Sequence, residues 1–253
     1  IAALALEAGV SEPTVNRFCR SLETRGFPDF KLHLAQSLAH GTLYVNRNVD
    51  EDDSVESYTG KIFESAMASL DQVHHSLDMS AVNRAVDLLT QAKKIAFFGL
   101  GSSAAVAHDA MNKFFRFNVP VIYSDDIVLQ RMSCMNCDDD DVVVIISHTG
   151  RTKSLVELAQ LARENDAMVI ALTSPGSPLA REATLAITLD VPEDTDIYMP
   201  MVSRLAQLTV IDVLATGFTL RRGAKFRDNL KRVKEALKES RFDKEPFVPS
   251  DNQ

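Results

Sequence analysis

The sequence predicts an α/β protein: a doubly wound, five-stranded parallel sheet covered by helices on both faces, preceded by an all-α head with a helix-turn-helix pattern. Three observations predict it. From Lys93 onward, short β-branched runs alternate with stretches of helical periodicity, which is the grammar of a right-handed parallel sheet. One of those runs, Val142-Val143-Val144-Ile145-Ile146, consists entirely of β-branched apolar residues, as expected of a strand buried on both faces. The first 26 residues, in contrast, read helix, glycine turn, helix.

The chain has 253 residues, 45 % hydrophobic and 25 % charged, enough for one large globular domain or two smaller ones. No apolar run approaches the roughly 18 residues of a membrane span, and no secretory signal is visible, so a cytoplasmic protein is expected. It begins at Ile1 rather than Met, and the head is expected to be truncated at its N-terminus. A net charge of −8 argues against a generally basic nucleic-acid binder, so any DNA contact must be local. Cys19, Cys134 and Cys137 make no disulfide framework. Cys134-x-x-Cys137 lacks the second pair or histidine cluster of a zinc site. These sulfurs read as buried cytosolic thiols before they read as a redox pair, and neither a metal nor a cofactor is expected.

In the head (residues 1–45), a short apolar helix ends at Gly9, and Ser11 is placed to cap a second helix with Pro13 in its first turn. Val10, Val15, Phe18, Cys19 and Leu22 fall on the inward face, and Gly26 closes the helix. Ser11, Thr14, Asn16, Arg17 and Arg20 then face outward as candidate DNA contacts, with Arg25 beside them. Arginines there can meet phosphates or bases. Glu12 and Glu23 dilute the charge, and a solvated helix face is the alternative. Phe27–Leu43 should pack under the head. Residues 46–78 read as an acidic linker and a connecting helix. Within them Asp50-Glu51-Asp52-Asp53 is a solvated run, and Val55–Leu77 is a helix with Ile62, Phe63, Ala66, Leu70, Val73 and Leu77 on one face. His74 and His75 are adjacent, point different ways, and should not share a metal.

Residues 79–240 form the sheet domain, with 241–253 a tail. It opens with a helix, Asp78–Ala92, capped by Ser80 and burying Val82, Ala85, Val86 and Leu89. The strands are Ile95–Phe98, Val119–Tyr123, Val142–Ile146, Met168–Leu172 and Leu185–Leu189. A helix follows Gly99–Ser103 and runs through about Arg116, and others are Ile127–Met132, Lys153–Glu164, Pro178–Glu182, Val202–Arg222 and Arg227–Glu239. Asp138–Asp141 reads as a solvated turn.

The chemistry gathers in two loops. Ser147-His148-Thr149-Gly150-Arg151-Thr152 links the most apolar strand to a helix, and Gly99-Leu100-Gly101-Ser102-Ser103 does the same after the first strand. Hydroxyls and free N–H groups at a helix start favour an anion such as phosphate. N-capping is the bland alternative, but one cap explains one hydroxyl, not three around a glycine. In a sheet of order 2-1-3-4-5 the two loops flank one crevice. Gly99-x-Gly101-x-x-Ala104, with Asp125 further on, also fits a dinucleotide fingerprint, although that reading leaves the Ser147–Thr152 loop unexplained.

Gly-x-Gly-Ser-Ser and Ser-x-Thr-Gly-x-Thr resemble the phosphosugar loops of the sugar isomerase (SIS) domain, a flavodoxin-like αβα sandwich. Ala8-Gly9-Val10-Ser11 with Pro13–Phe18, and the helix Ser203–Asp212, are similar to the corresponding parts of the RpiR family of bacterial transcription regulators. The order of parts also matches. The resemblance implies a non-catalytic, DNA-binding repressor of glucose and central carbon metabolism. It is most similar to the branch of that family that responds to 2-keto-3-deoxy-6-phosphogluconate (KDPG). Its implied partners are a double-stranded operator, the phosphorylated sugar acid, and a second copy of itself, as a homodimer or dimer of dimers. Its implied ligand residues are Gly101, Ser102, Ser103, Ser147, Thr149, Gly150 and Thr152, with His148 acting through its backbone. Arg204 is a further candidate, for the ligand's carboxylate. A sugar-phosphate isomerase is the first alternative, though only His108 and His148 stand near the loops as acid/base candidates. A regulator that binds NAD(H) is the second.

Overall fold

The computed structural model describes residues 1–22, 24–31, 48–193, 195 and 199–238. The end of the Phe27–Leu43 segment, the expected boundary at residue 45, Glu23, Glu239 and the tail lie outside the described residues. The chain divides into two compact units, Ile1–Ala68 with Glu193–Pro200, and Ser69–Pro192 with Met201–Gln253.

In the first unit, α1 (Ala2–Glu7) and α2 (Glu12–Ser21) are joined by a turn at Gly9, whose φ of 62° suits glycine. Ala5, Val15 and Cys19 form its small core, with Phe27 and Phe30 packed against them. Two expectations fail here. Val10, Phe18 and Leu22 are exposed, because three small buried side chains cannot cover so wide a face; the Phe18 ring meets that of Phe30 edge to face, 6.2 Å between centroids. Ser11 occupies the N-cap position, but its hydroxyl pairs with the Thr14 hydroxyl at 2.9 Å instead of a backbone N–H. The helix also stops at Ser21, ahead of Gly26.

The acidic run is more than solvation. Asp53 accepts from Lys61 Nζ at 2.6 Å, from the Ser57 hydroxyl at 2.6 Å and from the Asp50 N–H at 2.8 Å. The bonded Lys61 ammonium holds the Asp53 carboxyl down at about 2. This knot starts α3 (Val55–Ser76). Of its predicted apolar face, Leu70, Val73 and Leu77 pack into the core of the second unit, whereas Ile62 and Phe63 are exposed.

The second unit follows the predicted alternation. α4 (Met79–Gln91) is capped by Asp78, which accepts from the Ser80 N–H, so Ser80 is the capped residue and not the cap. Then come β1 (Lys94–Gly99), α5 (Ser102–Phe114) with a 3-10 turn at Phe115–Phe117, β2 (Val121–Ser124), α6 (Ile127–Met135) and β3 (Asp141–Ser147). They are followed by α7 (Lys153–Glu164), β4 (Met168–Thr173), α8 (Pro178–Glu182), β5 (Leu185–Thr188) and α9 (Val202–Lys238). The last of these was expected as two helices. Gly223, at φ 74°, breaks it where the apolar half gives way to the charged half.

All strand pairs are parallel, in the order β2-β1-β3-β4-β5. Alternate strand side chains feed two cores. Ile95, Phe97, Val144, Ile146 and Ile170 pack with α4, α5 and α9, while Ala96, Phe98, Val143, Ile145 and Val169 pack with α7 and α8. The Asp138–Asp141 run is a turn only in part. Asp141 begins β3, is 3 % exposed, and pairs with Lys94 Nζ at 2.5 Å.

Candidate functional site

Register places the two loops side by side. Gly99, the last residue of β1, pairs with Ile146, so Ser147 at the end of β3 lies next to the start of the Leu100–Gly101 turn. Neighbouring strands run roughly 4.8 Å apart, and the strand order reverses at this point of the sheet. Both helices that start here, α5 and α7, lack a side-chain cap. The N-cap of α5 is Gly101, at φ 56° and ψ −127°, which carries no side chain; the N-cap of α7 is Thr152, whose hydroxyl makes no capping bond. By contrast α4, α6 and α8 are capped by Asp78, Asp126 and Ser177. Capping therefore does not account for the hydroxyls at α5 and α7. The Ser103 and Ala104 N–H groups of α5 turn back on the Leu100 and Gly101 carbonyls, as that of Leu155 in α7 does on Thr152, and no side-chain cap takes those of Ser102, Lys153 and Ser154, which are left for another acceptor.

Ser102 is half-buried at the first position of α5, and Ser103 is buried behind it. Gly99 is needed because a Cβ there would come within 2.7 Å of the Ser103 carbonyl oxygen; the glycine brings α5 close to β1. Ser147 is buried, Thr149 half-buried and Thr152 exposed at the mouth. The Thr149 hydroxyl accepts from the Arg151 N–H at 3.3 Å and keeps its own proton to donate.

Residues not singled out in the sequence hold this loop. The His148 carbonyl accepts from both the N–H (2.9 Å) and the hydroxyl (2.7 Å) of Ser174. The His148 backbone is thus tied into the fold through its carbonyl. Gly150, at φ 60°, leaves the space that the paired Thr173 and Ser177 hydroxyls fill, and its carbonyl accepts from the Leu179 N–H at 3.1 Å. The signal was available, since Thr173-Ser174-Pro175-Gly176-Ser177 repeats the grammar of the loop after β3. Gln130, fully buried, ties the other loop by donating from Nε2 to the carbonyls of Gly99 (3.2 Å) and Ser124 (2.7 Å). Its only sequence mark is a polar residue four before the buried Cys134.

Arg204 sits apart from these loops in sequence, half-buried in the first turn of α9. His108, considered as an acid/base group, has its ring stacked on Tyr123 at 4.8 Å, a packing role. Asp125 lies exposed just past β2. The C-x-x-C sulfurs are poor nucleophiles. Burial pushes the Cys134 thiol up to about 12 and raises that of Cys137, which donates to the Ser133 carbonyl.

In the head, Ser11, Arg17 and Arg20 are exposed and Thr14 is half-buried; Arg17 donates to the Thr14 hydroxyl at 3.2 Å. Asn16 is used internally. Its Oδ1 accepts from the Phe27 N–H at 3.1 Å, and a Cβ on Gly26 would strike it. It fastens α2 to the following turn, which leaves at most its amide nitrogen for DNA.

Residues 88–217 match the SIS domain, and residues 1–41 match the helix-turn-helix domain of the rpiR family. The chain is 90 % identical over all 253 residues to the HTH-type transcriptional regulator HexR of Escherichia coli K12, covering 88 % of that protein. It is 58 % identical over 242 residues to HexR of Pseudomonas aeruginosa, covering 96 % of this chain and 85 % of that one. Among solved structures, Vibrio vulnificus NanR complexed with ManNAc-6P superposes with a TM-score of 0.66 at 24 % identity, covering 94 % of this chain and 85 % of that one. The chain belongs to the RpiR family of helix-turn-helix transcriptional regulators, DNA-binding proteins with a SIS domain, and within it stands with HexR.

Proposed function

We propose that this regulator is a non-catalytic sensor that controls sugar-metabolism genes in the cytoplasm by binding a phosphorylated sugar acid, KDPG, between its two uncapped loops. The observation that carries this reading is the pair of helix starts, α5 and α7, left without side-chain caps on adjacent strands and ringed by Ser102, Ser103, Ser147, Thr149 and Thr152. The fold it shares with Vibrio vulnificus NanR, solved in complex with ManNAc-6P, supports it. Two heads, supplied by a homodimer or dimer of dimers, would read half-sites about 34–36 Å apart. The effector then acts by favouring one arrangement of the heads. No helix among the described residues is long and apolar enough to cross a membrane.

Calorimetric titration of KDPG tests the site. Ser102→Ala and Ser147→Ala each remove one hydroxyl from a different loop, and each is expected to weaken binding at least tenfold, about 1.4 kcal/mol. Operator binding should survive in both. Wild-type affinity with a lowered melting temperature would make these residues structural instead. For the head, Arg17→Ala and Arg20→Ala in the full-length protein are expected to weaken operator binding and to flatten its salt dependence, leaving KDPG affinity intact. Unchanged operator affinity in both variants would take α2 out of the interface.

A further inference from the structure

Gln207 and Arg204 carry hydrogen-bonding capacity that the chain leaves unmet. Gln207 is 2 % exposed and its Oε1 has no partner; Arg204 has an enclosed Nε with none. Buried polar atoms without partners are uncommon in native folds, and where they occur they point to a missing ligand or water. The two residues are three apart in the first two turns of α9 and therefore share a face.

That face meets α5. Arg204, Ile211 and Phe218 recur every seven residues and form one stripe, and the Phe218 ring lies 5.4 Å from Phe114 of α5. The two helices run in the same direction. Lys113 pairs with Asp212 at 3.0 Å, and Phe117, in the 3-10 turn that follows α5, meets Phe226, further along α9. Both helices follow parallel strands and lead away from the carboxyl edge of the sheet. At 1.5 Å per residue, Arg204 lies roughly 21 Å ahead of Phe218, and Ser102 roughly 18 Å ahead of Phe114. The first turn of α9 thus comes level with the first turn of α5, where Ser102 and Ser103 stand.

We propose that Gln207, together with Arg204, determines specificity by reading the end of the ligand that carries no phosphate. The guanidinium matches a carboxylate. A buried amide oxygen beside it would repel a bare anion but accepts from a hydroxyl, so the pair fits an acid with a neighbouring O–H, which 6-phosphogluconate carries at C2 and KDPG carries in its ring hemiketal form. This rests on the reading of the two loops as the phosphate end.

Titrating the full-length protein with 6-phosphogluconate, glucose-6-phosphate and inorganic phosphate tests it. The wild type should prefer the acid to glucose-6-phosphate by at least tenfold. In Arg204→Met and Gln207→Leu that ratio should fall to within threefold. Arg204→Lys keeps the charge without the fork, and should also lower the ratio if the methionine variant does not fold. Ser102→Ala should weaken both sugar phosphates alike and leave the ratio intact. A ratio unchanged in the α9 variants, with binding still sensitive to Ser102, would overturn this proposal alone. Failure of the wild type to bind any phosphorylated probe would overturn the phosphate reading and this one with it.

Discussion

Phe114→Ala is expected to destabilise the second unit by about 3–5 kcal/mol, the range for emptying a buried aromatic site. The ring is fully buried, with Phe97 at 5.1 Å, Phe117 at 5.2 Å and Phe218 at 5.4 Å. These neighbours come from β1, the 3-10 turn and α9, three segments that cannot all move inward to fill the same void. The rings themselves are joined on several sides, since Phe117 stacks on Phe218 at 5.0 Å. For a unit of this size, each kcal/mol shifts the melting temperature by roughly 2–4 °C. Urea unfolding followed by circular dichroism reads the loss directly. A change below about 1 kcal/mol would mean that the cluster collapses around the gap.

Gly150→Ala should rank next, and unlike Phe114→Ala it should strike binding as well as stability. The backbone there is left-handed, which disfavours an L side chain by about 1–2 kcal/mol. The added Cβ would also lie 2.4 Å from both the Thr173 and Ser177 hydroxyl oxygens. One of them must move, and with it the loop that carries Thr149 and Thr152. We expect a loss of about 2–4 kcal/mol, combining strain with overpacking, and at least a tenfold weaker response to KDPG. Gly176→Ala is the matched control, because Gly176 has a φ of 65° but open space where a Cβ would go. It should lose only the strain. Equal losses in the two variants would show that the hydroxyl pair is not what forbids a side chain at Gly150.

The second unit was largely legible in the sequence because its signals are local. Five short apolar runs, alternating with helical spacing, imply parallel strands, and the observed order puts the Gly99 and Ser147 loops side by side as expected. What the sequence hid depends on partners far along the chain. Asp141 looked like one more solvated acid until the fold brought Lys94, forty-seven residues earlier, against it. Asp53 likewise looked solvated, although its partner Lys61 is only eight residues on, across the start of α3. Periodicity showed that α2 and α3 each have an apolar face, but it cannot say whether this chain covers it; Phe18, Ile62 and Phe63 are exposed. Gln130 and Gln207 are single polar residues within helices. Their burial, and the carbonyls that Gln130 meets, come from strands and helices distant in sequence.

The two sulfurs at the end of α6 bear on how the regulator behaves under stress. Oxidants and alkylating agents attack the thiolate, and a thiol pushed up to about 12 offers roughly one thiolate in ten thousand molecules at pH 8. An ordinary exposed cysteine near 8.5 offers about one in four at the same pH. Cys134 is fully enclosed, and Cys137 shares the upward shift. Despite its spacing, the pair is therefore short of thiolate, Cys134 above all. Peroxide should mark Cys134 far more slowly than it marks an exposed thiol.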